Sequence, residues 1–418
     1  MYQISRNADA LFRKEYRQVA RLTVTMTGVA DPLIFTENDI VQGSLSIERD
    51  MCSGNNIELG ATVSSALKVS LYYADAENRI PDGADASILV EIGIKKWDAY
   101  QWENAQIEYV RMGTFKIVKR HTVKVGPRKH SDEGLDPVIC EILAYDSMIK
   151  FDKPVDATQI TTPITVKNLI IRICTLCNVT LGDYVDSMVN KNYEVTTIPT
   201  GITYRQLLSQ CGFMIASPCA YIKYNDELAF MNYDQEYIDM AWDDDYSDMF
   251  NIKQSERYKL IDESDFSYFC TGVMYHTSDG ETVVEGENNN LSYAIEYTGC
   301  DIFDYDEYYG PDVPRPLPDP YENSPIYKIA STIAYDLEIG HGSIAPIHNF
   351  MLETVPLPWL YPGYMLYLYW KFNEYEQKSI SVYVGHYRFT MNKRTEISLI
   401  IDDPGTKQPT NYYDGSTQ

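Results

Sequence analysis

Met112-Gly113-Thr114-Phe115-Lys116-Ile117-Val118, a basic, turn-rich connection from Lys119 to Pro137, and Val138-Ile139-Cys140-Glu141-Ile142-Leu143-Ala144-Tyr145-Asp146 decide how this chain is read. Phe115, Ile117, Ile139 and Leu143 fall at period-two spacing in short β-rich runs, which predicts two antiparallel strands. An Ala-Tyr-Asp-x-Met turn closes the pair and runs on through Ser147 to Asp152. A threonine-rich crossover, Thr158 to Pro163, then enters a helix over about Val166–Cys177. Thr165 is its N-cap, and Leu169, Ile170, Ile173, Cys174 and Cys177 form one apolar stripe.

Upstream, the pattern predicts a short helix over Asn7–Arg17. Strands follow around Ala20–Met26, Gly43–Arg49, Ala66–Tyr73, Ile88–Lys95 and Glu108–Val118. Short strands at this spacing, broken by turns such as Pro81-Asp82-Gly83, predict a small barrel or sandwich. Downstream, Thr203 and Gln206 have capping-box spacing for a helix over Tyr204–Ile215, which Ser217-Pro218 ends. A hairpin, Ala220–Tyr224 and Leu228–Met231, turns at Asn225-Asp226. Irregular β follows, with Phe269–Tyr275 and Thr282–Glu285 flanking Ser278-Asp279-Gly280.

Asp301 to Gly310 and the proline-rich run to Pro320 predict an exposed loop. Next comes a helix capped by Ser324, with Pro325 in its first turn. Ile326, Ile329, Ala330, Ile333 and Leu337 share one face, and Gly340 stops it. Three closing strands are predicted over Tyr364–Phe372, Ile380–Met391 and Thr395–Ile401. The run Gly385 to Asp402 echoes Gly113 to Asp146: a glycine, a strand with basic residues, a turn, and an apolar strand ending in Asp.

At 418 residues the chain exceeds one ordinary core, and 44% hydrophobic with 23% charged residues marks a globular protein. The apolar run Val355–Trp370 contains Pro356, Pro358, Pro362 and Gly363, which break a membrane-spanning helix. The N-terminus carries Asp9 and Glu15 and no apolar core of a secretory signal. A formal charge of −25 argues against a surface that grips nucleic acid, and solubility is its simplest account.

Eight cysteines spread through a chain this long do not form a secreted disulfide framework. Cys174-x-x-Cys177 with Cys211 and Cys219 is a conceivable zinc set. The pair lies on an apolar stripe and its partners are oddly spaced, so small buried hydrophobes are the simpler reading. The acidic runs at Asp243-Asp244-Asp245 and at Asp304, Asp306 and Glu307 could hold calcium, but neither has EF-hand spacing and a solvated loop explains both. No glycine-rich phosphate loop, nucleophile elbow or zinc-protease motif is present, so no catalytic residue, metal or cofactor is assigned. Tyrosines number 35 against 13 phenylalanines, which favours an assembly component over an enzyme.

Gly113 to Tyr233 resembles the central hub proteins of bacteriophage tails and baseplates, of the kind found in myophages and siphophages of Gram-positive hosts. The matching features are Gly-Thr-Phe-Lys-Ile at 113–117, Ala144 to Met148, Thr162-Pro163-Ile164-Thr165 with its helix, Ile202 to Leu208, and the hairpin Ala220–Met231. The helix at Pro325, the run Val355 to Met365 and the final hairpin are similar too. Gly363-Tyr364 stands where the family often carries Gly-Asp.

The resemblance implies a mainly β protein with α+β insertions. Two barrel-like tube domains and smaller α/β domains would form a trimeric ring of pseudo-sixfold symmetry. The expected division is a first barrel-like domain over 1–152, an α/β insertion over 153–233, an irregular β domain over 234–323, and a helix plus strands completing the second barrel over 324–418. Such a ring joins a sixfold tail tube to a threefold spike or tip and forms part of the DNA-exit channel. Its partners would be the tube or distal tail protein and the spike or tape-measure protein, in a virion tail assembled in the host cytoplasm.

DNA would pass without specific binding, and an acidic lumen would repel it. Asp243, Asp244, Asp245, Asp304, Asp306 and Glu307 are the lumen or interface candidates. The chain ends in a short polar tail from Asp403 to Gln418, which predicts no appended lysin domain. The alternatives are a tail-associated cell-wall hydrolase or peptidase, and the hub of a phage-tail-like bacteriocin or contractile injection system.

Overall fold

The computed structural model describes residues 6–14, 17–52, 58–73, 80–81, 84–94, 107–124, 138–231, 251–253, 257–262, 268–269, 272–276, 282–286, 295–298, 300–303, 325–336, 346–362, 364–371 and 377–401. Asp243, Asp244, Asp245, Asp304, Asp306 and Glu307 lie outside them, as do Ser324, Leu337 and Gly340.

A short helix, α1 (Arg6–Arg13), precedes seven strands: β1 (Gln18–Met26), β2 (Leu33–Thr36), β3 (Ser46–Asp50), β4 (Ala66–Tyr73), β5 (Ala86–Ile94), β6 (Tyr109–Lys124) and β7 (Val138–Tyr145). Alternation decides their faces: Ala20, Leu22 and Val24 of β1 are fully buried, while Arg21 and Thr23 between them turn away. β6 runs six residues beyond the predicted strand end. Its residues 119–124, expected as a connection, find partners on β7 through His121↔Glu141 and Lys124↔Val138. A bulge between Ile117 and Lys119 takes up the extra residue. On β7 the inward residues are Cys140, Ile142 and Ala144, whereas Ile139 and Leu143 lie half-buried on the other face.

The middle of the chain forms a compact unit with its own core. β8 (Ile164–Thr165), α2 (Val166–Cys177), β9 (Thr180–Leu181), β10 (Glu194–Val195), α3 (Tyr204–Met214), β11 (Ala220–Ile222) and β12 (Glu227–Phe230) build it. The Thr165 side chain accepts from the Asn168 N–H at 3.3 Å, and α2 ends at Asn178 in the left-handed region, φ +53. On α3 both halves of the capping box form: Thr203 Oγ1 accepts the Gln206 N–H at 3.2 Å, and Gln206 Oε1 accepts the Thr203 N–H at 2.9 Å.

Short strands follow: β13 (Asn251–Ile252), β14 (Arg257–Asp262), β15 (Tyr268–Phe269), β16 (Gly272–His276), β17 (Thr282–Gly286) and β18 (Ile295–Thr298). β16 and β17 pair antiparallel, as the hairpin signal predicts. The next helix, α4 (Pro325–Asp336), buries Ile326, Ile329 and Ile333 against the core of α2 and α3. The last strands are β19 (Pro346–Thr354), β20 (Met365–Lys371), β21 (Gln377–Thr390) and β22 (Thr395–Ile401). β19 has no counterpart among the predicted strands.

One 14-stranded sheet dominates the molecule, with a main path β14-β19-β22-β21-β3-β4-β7-β6-β5-β1-β2. The protein is mainly β, and its N-terminal and C-terminal strands share this sheet through β21 and β3. The sheet curls far enough for the start of β1 to meet the β21–β22 turn. There the Gln18 N–H donates to Asn392 Oδ1 at 3.0 Å and the Asn392 N–H to Gln18 Oε1 at 2.8 Å. No described helix is long and apolar enough to cross a membrane.

Candidate assembly surface

Two hairpins organise the sheet, and they are laid out alike. Read in one direction, β19, β22, β21 and β3 are followed by β4, β7, β6 and β5, every neighbouring pair being antiparallel. Each group of four contains a hairpin in the same position, β21–β22 in one and β6–β7 in the other. Chain directions alternate without a break, so corresponding strands run the same way. The first strand of each hairpin also carries a bulge against its partner, between Val384 and His386 in β21 and between Ile117 and Lys119 in β6. The echo between the two stretches of sequence is therefore an echo of strand order.

A buried cation joins the two groups. Arg49 on β3 is 2% exposed. It donates from Nη2 to the Met112 carbonyl at 2.6 Å and from Nη1 to the Leu360 carbonyl at 3.2 Å. Its guanidinium also covers the rings of Tyr361, at 4.1 Å, and Tyr387, at 5.3 Å. Tyr387 donates to the Leu357 carbonyl at 3.0 Å, and burial pushes the Tyr361 hydroxyl up to about 12. Tyr361 in turn lies 5.6 Å from Tyr221 of the helical unit and 6.0 Å from Tyr364. These tyrosines join the two internal cores.

The opposite face of the sheet carries charge in cross-strand pairs. Lys68 Nζ on β4 lies 2.9 Å from Glu48 on β3, which also takes Arg388 Nε of β21 at 2.9 Å. Arg388 Nη1 continues to Glu396 on β22 at 3.1 Å, and His386 contacts Asp50 alongside. Farther round the sheet, Arg21 Nε meets Glu91 at 2.6 Å and Lys116 Nζ meets Asp85 at 3.0 Å. Each pair is at least partly solvated and contributes little to stability alone. Together they make the described solvent face one of mixed sign, in contrast to the chain's −25.

Cys52, Cys140, Cys174, Cys177, Cys211, Cys219 and Cys300 are all buried and free. Burial pushes Cys52, Cys174 and Cys300 up to about 12 and Cys177 to about 11, so their thiols stay protonated. Among the described residues, no group of three His, Cys, Asp or Glu is placed to hold a metal ion.

No family model matches the sequence. No curated protein matches it either. The crystal structure of the 43 kDa tail protein of prophage MuSo2 from Shewanella oneidensis matches 92% of this chain and 98% of its own. The TM-score is 0.51 at 9% identity. The chain has the fold of a phage tail protein. The tail protein from Neisseria meningitidis MC58 covers 92% of this chain and 97% of its own, with TM-score 0.49 and 9% identity. A chain of the p2 virion baseplate in its activated conformation covers 94% and 100%, at TM-score 0.29 and 9% identity. The last two agree in kind with the first and add no weight to the fold.

Against this tail fold, the face carrying Glu48, Lys68, Arg388 and Glu396 is the feature that reading the sequence missed. Its residues come from β3, β4, β21 and β22, strands far apart in the chain, so no local pattern announces it.

Proposed function

We propose that this chain is a structural hub of a phage tail tip or baseplate. Three copies form a ring that joins a sixfold tail tube to a threefold spike or tip and surrounds part of the DNA-exit channel. The observation that carries this reading is the doubled group of four strands, alike in order, direction and bulge. A chain holding two equivalent units gives six in a closed ring of three, which is what a tube-to-spike adaptor needs. The tail fold supports the setting, a virion tail assembled in the bacterial host.

In this reading the residues 1–152 and 324–418 supply the two tube units, β3 of the first stretch completing the second unit and β13, β14 and β15 of 234–323 extending its sheet, and 153–233 lies outside them. Its partners are the tube or distal tail protein and the spike, needle or tape-measure protein. The role needs no catalysis. The cross-strand pairs do not favour a uniformly acidic channel wall: if this face lines the channel, its cations are already held by carboxylates, which also leaves little to retain phosphate. The acidic residues Asp243–Asp245, Asp304, Asp306 and Glu307 keep their place as interface candidates.

The test is the mass of the full chain in solution by light scattering, with electron microscopy of the same sample. A species of about 144 kDa, three times 47.9 kDa, seen as rings supports the hub. A monomer that stays monomeric after addition of the neighbouring tail proteins rejects it.

A further inference from the structure

The curl of the sheet closes on one side without a strand ladder. β2, the last strand of the main path, pairs with β1 from Arg21 to Val24, so the first residues of β1 lie beyond it. Among the described residues, side chains close this seam. The reciprocal bonds of Gln18 and Asn392, 3.0 and 2.8 Å long, join residues 374 apart in the chain. Asn392 holds φ +59 in the β21–β22 turn, a conformation that asparagine tolerates better than most residues.

α1 makes the second closure. Asp9 and Phe12, three residues apart, share its inner face, while Ala10 and Lys14 are exposed. Phe12 is fully buried in the core of the sheet. Asp9 Oδ1 accepts the Trp359 indole N–H at 2.9 Å, across 350 residues, and Asp9 Oδ2 takes Arg13 Nε at 2.8 Å. Trp359, in the loop after β19, is 1% exposed, so its N–H needs such an acceptor. α1 therefore lies against β5 on one side and against the C-terminal loop on the other. A helix of eight residues does not hold in water by itself, so α1 is helical because Asp9 and Phe12 are docked. Docking and helix formation are one step.

The β1–β5 ladder does not depend on that step. Its nine pairs, Gln18↔Ile94 to Met26↔Ala86, are made by strand backbone alone. We infer that α1 and the Gln18 side chain form a strap, which releases as one unit from Trp359 and Asn392 while the sheet stays folded. Released, it uncovers the Trp359 indole and the slot of Phe12, and it parts the first strand from the C-terminal turn. Docked, it makes the two ends of the chain respond to each other, so that a change at the turn is felt at α1. The device is independent of the ring reading.

The test is amide hydrogen exchange of the full chain, read by mass spectrometry in peptides covering α1, the loop 355–361 and the turn 391–394. β4 and β7 serve as reference. In wild type, α1 and the loop should exchange together and ahead of the reference strands. Asn392→Gly keeps the turn, because glycine accepts positive φ, and removes only the amide side chain. It should speed exchange in α1, at the far end of the chain, about tenfold and leave β4 and β7 unchanged. Asp9→Ala should speed exchange at the turn in the same way. Should that variant fail to fold, judged by circular dichroism, wild type and Asn392→Gly decide. α1 exchanging only at the rate of β4 and β7 would overturn the inference, since release would then need global unfolding. Asn392→Gly loosening the turn with α1 unchanged would overturn it too, since the two contacts would not act as one unit.

Discussion

The guanidinium carbon of Arg49 stands 4.1 Å from the centre of the Tyr361 ring, in a place where neither residue meets bulk water. Arg49 belongs to the third strand of the chain and Tyr361 to the loop after the nineteenth. The contact therefore couples segments whose meeting requires nearly the whole fold. A buried guanidinium is tolerable only if its donors are used, and here two carbonyls and two aromatic faces use them.

Replacing Arg49 by Ala leaves the Met112 and Leu360 carbonyls without these donors and opens a void between the tyrosines. The expected loss is about 3 kcal/mol or more, read from urea unfolding. Arg49→Lys keeps the charge but not the planar fork, so it should fall between Ala and wild type. Equal stability of all three would show that the carbonyl contacts carry nothing.

Asp146 predicts a dependence on pH. Its carboxylate accepts the Ser65 N–H at 2.9 Å and the Met148 N–H at 3.0 Å, tying the end of β7 to the strand beside it and to the turn that enters the helical unit. Complete burial pushes it up to about 6, against these hydrogen bonds. A folded value above the unfolded one means that stability is fully present below about pH 3.8 and falls as pH rises through 6. The loss attributable to this group is about 3 kcal/mol. Wild type compared with Asp146→Asn in thermal melts between pH 4 and 7 isolates that part, because the other carboxylates are shared. The difference should change across the interval, and parallel curves would show that Asp146 titrates as an ordinary surface acid.

The cysteines make a simpler prediction. Cys52, Cys174, Cys177, Cys211, Cys219 and Cys300 lie in one core, at most 5% exposed. Protonated and covered thiols do not react as nucleophiles. Iodoacetamide at pH 8 should leave these six and Cys140 unlabelled in the native protein and label all seven in urea, as counted by peptide mass spectrometry. Rapid native labelling at Cys174 or Cys177 would reopen the zinc or redox reading of that pair.

What the sequence made legible was local. The Thr203–Gln206 capping box, the Thr165 cap and the strands Ala66–Tyr73 and Thr395–Ile401 rest on contacts between near neighbours, and they stand where predicted. The pairing of β21 with β3 was not legible, since His386 and Asp50 are 336 residues apart and no local pattern records it. Local pattern ends β6 early because Lys119, Arg120 and His121 look like a turn. They are strand because β7 supplies partners and the bulge at Val118 re-sets the register. The acidic residues chosen as lumen or interface candidates lie outside the described residues, whereas the charges that the sheet brings together come from strands far apart in the chain.

Gly60 shows the same limit in a single residue, and it gives the sharpest test of how the sheet is joined to the helical unit. It lies between β3 and β4 with φ +71, a conformation that L side chains rarely adopt. Its N–H donates to the Ser217 carbonyl at 2.7 Å, and the next residue, Ala61, donates to Pro218 at 2.9 Å, which holds the link against the end of α3. A Cβ at Gly60 would stand 2.2 Å from the Ser209 carbonyl oxygen and 2.9 Å from the Phe213 nitrogen, both backbone atoms of α3. Those atoms cannot swing aside as a side chain can, so the helix or the link must shift. Positive φ adds about 1–2 kcal/mol and the overlap a further 1–3 kcal/mol. Gly60→Ala should therefore lose about 3 kcal/mol in urea unfolding, whereas Gly28→Ala, with φ +84 and nothing within 4 Å, should lose only the first part. Equal losses at the two positions would mean that α3 does not press on the link, and that the sheet and the helical unit are joined less tightly than their contact at Gly60 implies.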